Sequence, residues 1–209
     1  KYTTGTFAGI FSQQSNTDIN NPMVVFNIRD LEDELRPVAM YIVLNFIWNR
    51  TKSDQRRRIL IIDEAWQLMK YEDSANFMFS LAKRARKYNL GITTISQDVE
   101  DFMGSRMGRA IVANASMQIL LKQSSSAVDL LGEVFKLTSE ERKRLGQFPV
   151  GQGLFFAGQS HVHIQIAASP TEMNLITTDP RQVQQIAQAG ELDQPQGTIN
   201  LSNRLTPGV

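Results

Sequence analysis

The stretch RRRILIIDEAWQLMK, residues 56–70, decides the fold of this 209-residue chain. Its apolar run ILII is uninterrupted, which predicts a strand buried on both faces, as in a parallel sheet covered by helices. The run ends at two adjacent acids, Asp63 and Glu64. Because ligands of parallel sheets bind beyond the carboxyl ends of the strands, this pair is the first candidate for a functional site.

Strand-like and helix-like segments alternate on both sides of this stretch. Apolar runs predict three further strands, at residues 23–28, 91–96 and 117–122. Residues 151–167, GQGLFFAGQSHVHIQIA, predict a hairpin that turns at GQS. The alternation predicts an α/β fold, a three-layer domain with a mostly parallel sheet over residues 1–170. Residues 171–209 are predicted to form one helix and then a loose tail rich in Gln, Pro, Gly and Asn.

Three local signals predict where helices begin. Pro37 is expected in the first turn of a long helix, where its missing N–H does no harm. Ser74 is expected to cap a helix that ends at Asn89. Thr138 is followed three residues later by Glu141, which predicts a capping box at the start of a short helix.

Composition excludes several classes of protein. Twenty-two basic and 21 acidic residues give a net charge of +1, so no overall field attracts nucleic acid or anionic lipid. The chain has no cysteine, which excludes disulfides and thiolate metal sites. No apolar stretch reaches the roughly 20 residues that a membrane-spanning helix needs.

The acidic pair at the strand end has two interpretations. In the first, Asp63 holds the Mg²⁺ of a nucleotide through water, and Glu64 polarises the water that attacks the γ-phosphate. In the second, Asp63 caps a helix that begins at Ala65, and Glu64 is solvated in its first turn. The first interpretation is favoured, because an acid at the end of a buried strand needs a cation to compensate it.

Gln97 follows the predicted strand GITTIS, residues 91–96. A neutral amide at that position can donate to a γ-phosphate and accept from the attacking water, which would make it a sensor of the phosphate. The alternative is an ordinary polar residue at a helix start. The neighbouring acidic pair favours the sensor.

The segment KRARK, residues 83–87, ends the helix between the two strands. At about 100° per residue, four positions form its buried stripe: Met78, Leu81, Ala82 and Ala85. Arg84 and Arg86 then fall on the flanks of the helix. They are either basic residues favoured by the helix dipole, or one of them is an arginine finger that reaches the γ-phosphate of a neighbouring subunit. Both interpretations stay open.

Other polar and aromatic residues give weaker signals. His161 and His163 share one strand face, but two histidines without a third ligand make a poor zinc site, so a solvated face is favoured. The segment QSSS, residues 123–126, is interpreted as a helix cap. Trp48 and Trp66 are interpreted as packing residues.

Four segments together carry a resemblance to a known family. NIRDLEDELRPVAM, ILIIDEAWQLM, SLAKRARKYNLGITTISQDVEDF and GLFFAGQSHVHIQIAASPTE resemble, in this order, the ATPase of bacterial type IV secretion and conjugative transfer systems. The resemblance covers about residues 26–181 and implies a RecA-like P-loop NTPase core, Mg²⁺ and ATP as cofactors, and a hexamer. It also implies a peripheral location at the cytoplasmic face of the cell membrane. The implied partners are other secretion ATPases, inner-membrane channel components and a translocated protein or DNA.

The resemblance also implies residue roles. Asp63 and Glu64 match the Walker B acids, Gln97 matches motif C, and Arg84 or Arg86 matches the basic motif at the subunit border. The family's phosphate loop, of the form G-x-x-x-x-G-K-[ST], does not occur in this sequence. It is therefore expected upstream of Lys1, and the 209 residues alone are expected to bind ATP poorly and not to hydrolyse it.

Two alternative functions stay open at the level of the sequence. One is a DNA-translocating pump or helicase of the same motor class, which would need cationic residues along a pore. The other is a non-catalytic assembly or docking module of the secretion machine.

Overall fold

The computed structural model describes residues 21–28, 30–54, 56–158, 160–188 and 198–200. The chain divides into two compact units. The first consists of Lys1–Ile47 with Asp193–Val209, and the second of Trp48–Leu192. The boundary that the sequence predicts at residue 170 stays a prediction.

Strands and helices alternate along the described residues. The strands are β1 (Val25–Asn27), β2 (Arg58–Ile62), β3 (Leu90–Thr94), β4 (Met117–Leu121), β5 (Gln152–Ala157), β6 (Ser160–Gln165) and β7 (Thr198–Asn200). The α-helices are α1 (Arg36–Asp54), α2 (Trp66–Met69), α3 (Glu72–Ala85), α4 (Val99–Gly104), α5 (Arg106–Asn114), α6 (Ser125–Val134), α7 (Ser139–Leu145), α8 (Pro170–Ile176) and α9 (Pro180–Gln188). A 3₁₀ turn, Arg86–Tyr88, follows α3.

In the first unit, β1 pairs in parallel with β7, with Val25 opposite Thr198. Helix α1 begins with Pro37 as its second residue, as predicted, because a proline there removes no helical hydrogen bond. A small cluster of Leu31, Leu35 and Ala39 forms the apolar centre of this unit.

The structure of the C-terminal part of the chain differs in part from what its composition predicts. Helix α9 is the helix predicted after Pro170, and the shorter α8 precedes it. Three residues of the predicted loose tail form β7, because pairing with β1 supplies backbone hydrogen bonds that composition alone does not reveal. The rest of that predicted tail, residues 191–197 and 201–209, lies outside the described residues.

In the second unit, β2 and β3 form a parallel pair that runs from Arg58 opposite Leu90 to Ile62 opposite Thr94. Strands β4, β5 and β6 form an antiparallel sheet in that order. The β5–β6 pair is the predicted hairpin, and Gln159 at its turn lies outside the described residues.

The prediction that the ILII strand is buried on both faces is wrong for the described structure. Ile59 is 76% exposed and Ile61 is 63% exposed, whereas Ile62 is buried. Successive side chains of a strand point to opposite faces, so the packed elements of the described chain cover only one face of β2. Strand β4 alternates in the same way, with Ile119 exposed and Leu120 buried.

Helix α3 packs its apolar face into the core of this unit, as the predicted stripe required. Met78, Leu81 and Ala85 are buried, while Ala82 is half-buried. The predicted cap is wrong, because α3 begins at Glu72 and Ser74 lies inside its first turn. The Ser74 hydroxyl is buried and donates to the Leu68 carbonyl at 2.6 Å, a contact that local sequence does not reveal.

A second apolar cluster lies beneath the antiparallel sheet. It comprises Leu120, Leu131, Leu137, Leu145, Phe148, Leu154 and Phe156. Two predicted caps border this cluster. Ser124 caps α6 by accepting from the Ala127 amide, and Thr138 forms the predicted capping box with Glu141. No helix among the described residues is long and apolar enough to cross a membrane.

Candidate nucleotide-hydrolysis site

The carboxyl edge of the β2–β3 pair ends in a tight turn. The Ile95 amide donates to the Ile62 carbonyl at 2.8 Å, and the Ala65 amide donates to the Ile95 carbonyl at 2.9 Å. These two bonds continue the strand pairing beyond Ile62 and enclose Asp63 and Glu64 between them. Backbone hydrogen bonds therefore fix both acids at the edge where sequence analysis placed them.

Asp63 is exposed and does not cap a helix. Its Oδ1 accepts from the Glu64 amide at 2.9 Å. The residue at the N-cap position of α2 is Ala65, which makes no side-chain capping bond. The capping interpretation of Asp63 is therefore wrong.

Glu64 is half-buried and has a left-handed backbone with φ of +50°. Its Oε2 accepts a hydrogen bond from Nε1 of Trp66 at 2.5 Å. The Lys70 ammonium lies 4.3 Å from the centre of the Trp66 ring. Trp66 is therefore a polar partner of Glu64, and its interpretation as a packing residue missed this role. The only signal in the sequence was its spacing of two residues from Glu64.

The acidic pair fits a hard divalent cation. Among the described residues, no ion pair includes Asp63 or Glu64. Mg²⁺ prefers oxygen ligands and keeps several of its waters, so one or two carboxylates at an exposed edge suit it. Asp63 is the residue that would hold the ion, because it is the more exposed of the two.

Gln97 lies at the same edge, three residues after the end of β3. It is exposed and immediately precedes Asp98, which caps α4 by accepting from the Asp101 amide. The Ser96 hydroxyl donates to the Asp98 carbonyl at 2.9 Å and shapes this turn. Gln97 therefore lies before the helix, and the parallel register brings it to the edge that carries Asp63 and Glu64.

Arg84 and Arg86 lie at the opposite end of the strands. Helix α3 ends at Ala85 and the chain enters β3 at Leu90, and the Asn89 carbonyl there accepts from the Arg58 amide. A strand of five residues separates the two edges by about 13 Å. The structure therefore does not bring either arginine to the acidic pair of its own chain.

The two arginines differ in their contacts. Arg84 donates from Nε to the Ser80 carbonyl at 3.1 Å, and its guanidinium lies 5.3 Å from the centre of the Trp48 ring. Trp48 is buried and meets Tyr88 edge to face, which confirms its packing role. Within the described ranges, the Arg86 side chain is exposed and forms no ion pair or hydrogen bond.

The two histidines of β6 are exposed, as predicted, and they also have side-chain partners. His161 stacks on Phe156 and contacts Glu141 through Nε2, while His163 meets Phe148 edge to face. The hydrogen bond from the Thr138 amide, together with those from the Thr138 hydroxyl and His161, lowers the pKa of Glu141 against the opposing effect of burial. These histidines cover an apolar cluster, and the described residues contain no group of three or more metal ligands.

Comparison with solved structures defines the class of protein. The structure of VirB4 of Thermoanaerobacter pseudethanolicus is similar over 82% of this chain and 48% of that chain, with a TM-score of 0.75 and 30% sequence identity. The predicted fold class, an α/β P-loop NTPase, is confirmed by this match. Residues 1–148 also match the TraG P-loop domain, so the chain belongs to that family.

Two curated relatives are similar to parts of this chain. Protein TraC of Escherichia coli is 26% identical over 168 residues, which is 73% of this chain. The type IV secretion system protein virB4 of Bartonella quintana is 25% identical over 136 residues, or 62% of this chain. The chain spans only 19% and 17% of the lengths of these two relatives.

Proposed function

We propose that this chain carries the ATP-hydrolysing edge of a motor ATPase that energises type IV secretion or conjugative transfer. The single observation behind this proposal is the pair Asp63 and Glu64 at the carboxyl edge of β2, beside Gln97 and without a cationic partner among the described residues. Membership of the TraG P-loop family supports the motor class. The relatives named for type IV secretion support the setting.

The two acids divide the chemistry. Asp63 would hold Mg²⁺ through water, and the ion would supply positive charge beside the phosphates. Glu64 accepts a proton from the attacking water, a contribution of typically 10²–10⁴-fold. Gln97 is neutral and at the same edge, so it orients that water and responds to the γ-phosphate.

The arginine that acts between subunits is Arg86. Arg84 is held by Ser80 and lies against Trp48, so its guanidinium already has partners. Arg86 is exposed at the opposite end of the strands from Glu64, which suits contact with the site of a neighbouring subunit. A ring of identical subunits, a hexamer, provides that neighbour.

The same relatives support a proposed setting at the cell membrane. The motor works at the cytoplasmic face of the cell membrane as a peripheral protein. There it contacts other secretion ATPases and inner-membrane channel components, and it moves protein or DNA. Co-purification of the full-length natural protein with channel components measures this directly.

The first experiment tests the metal side of the site. In the full-length natural protein, Asp63→Asn should raise the Mg²⁺ concentration needed for half-maximal phosphate release at least about 10-fold, since one ligand charge is lost. Asp73→Asn, an exposed acid in the first turn of α3, is the matched control and should behave like wild type. Identical Mg²⁺ dependence for both variants would remove Asp63 from the site.

The second experiment tests the role of Arg86 between subunits. Arg86→Ala should lower phosphate release about 10³-fold, whereas Arg84→Ala should have a much smaller effect. Mixing Arg86→Ala subunits with Glu64→Gln subunits should restore part of the activity, because some interfaces then pair an intact arginine with an intact acid. Mixed rings as inactive as the parents would contradict a shared site.

A further inference from the structure

Trp66 contacts the acid to which we assign the proton transfer. Its indole Nε1 donates to Oε2 of Glu64 across a spacing of two residues. No other side-chain hydrogen bond to the Glu64 carboxylate is found among the described residues. Oε1 is therefore the oxygen left to face a water.

The backbone around Trp66 is firmly anchored. Ala65 and Leu68, on either side of it, are fully buried. The Ala65 amide donates a hydrogen bond to the Ile95 carbonyl, and the Leu68 amide donates to the Ala65 carbonyl at 3.1 Å. The Trp66 side chain is therefore attached to a turn that is hydrogen-bonded to the segment following β3.

Lys70 restrains the face of the ring. Its ammonium lies 4.3 Å from the ring centre, a cation–π contact one helical turn from Trp66. Since one face of the indole meets this cation and the N–H meets Glu64, both the tilt and the direction of the ring are restrained.

We propose that Trp66 is a positioning residue for Glu64, holding Oε2 so that Oε1 is aimed at the attacking water. This inference rests on the proposed function of Glu64. A free glutamate side chain rotates about three bonds, and fixing one oxygen removes most of that freedom. Misplacing a reacting group by about 1 Å can lower a rate about 10²-fold, so the contact matters for kcat.

The hydrogen bond can be measured without turnover. The 209-residue chain has two tryptophans, so a ¹⁵N-labelled sample gives two indole N–H signals, and Trp48→Phe assigns them. Glu64→Ala should move the Trp66 signal upfield and speed its exchange with water. The Trp48 signal should stay in place, and Asp73→Asn should move neither. A Trp66 signal whose position and exchange rate are unchanged by Glu64→Ala would overturn the proposal.

The positioning role is measured by kinetics of the full-length natural protein. Trp66→Phe keeps an aromatic ring but loses the donor, and should lower kcat about 10- to 100-fold while changing the KM for ATP less than about threefold. Lys70→Met keeps the donor and should lower kcat much less. Trp48→Phe is the control for loss of an indole and should keep the wild-type kcat, with melting temperatures confirming that each variant folds.

Two results separate this inference from the proposed function. Wild-type kcat in Trp66→Phe, beside an inactive Glu64→Gln, would overturn the positioning role alone. Wild-type turnover in Glu64→Gln would overturn the proposed function of Glu64 and the positioning role with it. The indole signal would then still report whether the hydrogen bond itself exists.

Discussion

At the scale of single residues, the proposed site contains one strained position, the left-handed backbone of Glu64. A φ of +50° is unfavourable for a residue with a side chain, by roughly 1–2 kcal/mol. Such strain persists only where surrounding bonds enforce it, and it collects at functional sites. Here the hydrogen bond from the Ala65 amide to the Ile95 carbonyl closes the turn and keeps the Glu64 carboxylate beside Trp66.

The strain predicts an inverted order of stability between two variants that both lack the carboxylate. At ordinary positions glycine is about 0.5–1 kcal/mol less stable than alanine. At Glu64, glycine relieves the strain, so Glu64→Gly should be more stable than Glu64→Ala by about 1 kcal/mol. Urea unfolding of the 209-residue chain gives both free energies. Equal stability, or the ordinary order, would show that this turn is not left-handed in solution.

Single residues also show which features of the candidate site could be predicted from the sequence. The place of Asp63 and Glu64 at a strand end was predictable, because an apolar run followed by acids is a local pattern. The backbone angle of Glu64 and the bond from Trp66 were not, since both arise from a turn closed by Ile95, 31 positions after Glu64. Their roles in catalysis stay predictions.

At the scale of elements, α4 begins two residues after Gln97 and is followed by a sharp corner at Ser105, where α5 starts. Ser105 caps α5 by accepting from two backbone amides, and Arg109 donates to the Met103 carbonyl at 2.7 Å. Gly108 makes the corner compact, because a Cβ there would lie 1.9 Å from the Phe102 carbonyl oxygen. The two helices can therefore approach closely only with glycine at this position.

Two glycine variants test this close approach. Gly108→Ala should lower the free energy of unfolding by about 1–3 kcal/mol, as overpacking does. Gly104→Ala, at the end of α4, meets no atom within 4 Å and should be neutral or slightly stabilising. Chemical denaturation measures both, and equal losses in the two variants would rule out a steric cause.

A pH effect is expected where α7 meets β6. Because Glu141 has a lowered pKa when folded, its ionised form contributes stability above the ordinary value of 4.5, and this is lost as pH falls through the lower folded pKa. Glu141→Gln should therefore lower the free energy of unfolding at pH 7 by about 1 kcal/mol, and this loss should shrink as pH falls below 4.5. Glu140→Gln, on the exposed side of α7, should change stability by under about 0.5 kcal/mol. A loss in Glu141→Gln that stays constant from pH 7 to pH 3 would contradict this linkage.

Elements were predictable where their signals were local. The capping box of Thr138 and Glu141 joins partners three residues apart, so the pattern identified it. Ser74 carried the same type of signal but bonds to Leu68, which only the tertiary fold brings near. Helix α4 entered the sequence analysis only as a helix start in one interpretation of Gln97, because six residues are too few to show a helical period.

At the scale of the whole molecule, the β2–β3 pair presents two different ends. Asp63, Glu64 and Gln97 lie at the carboxyl end, and Arg84 and Arg86 lie at the other. With Arg86 acting between subunits, as proposed, this arrangement would give each subunit of a ring half of two sites. The order of motifs along the sequence revealed the family, since each motif is a short pattern. The exposure of alternate β2 side chains could not be predicted from the sequence, because it depends on which elements pack against the sheet.

The most direct measurement is phosphate release by the full-length natural protein carrying Glu64→Gln. The amide is nearly the same shape as the carboxylate but cannot accept the proton. The variant should bind ATP with an affinity close to that of wild type and release phosphate at least about 10²-fold more slowly. ATP bound with wild-type affinity and hydrolysed at a wild-type rate would contradict the assignment of Glu64, and with it the account of this edge as the hydrolytic site.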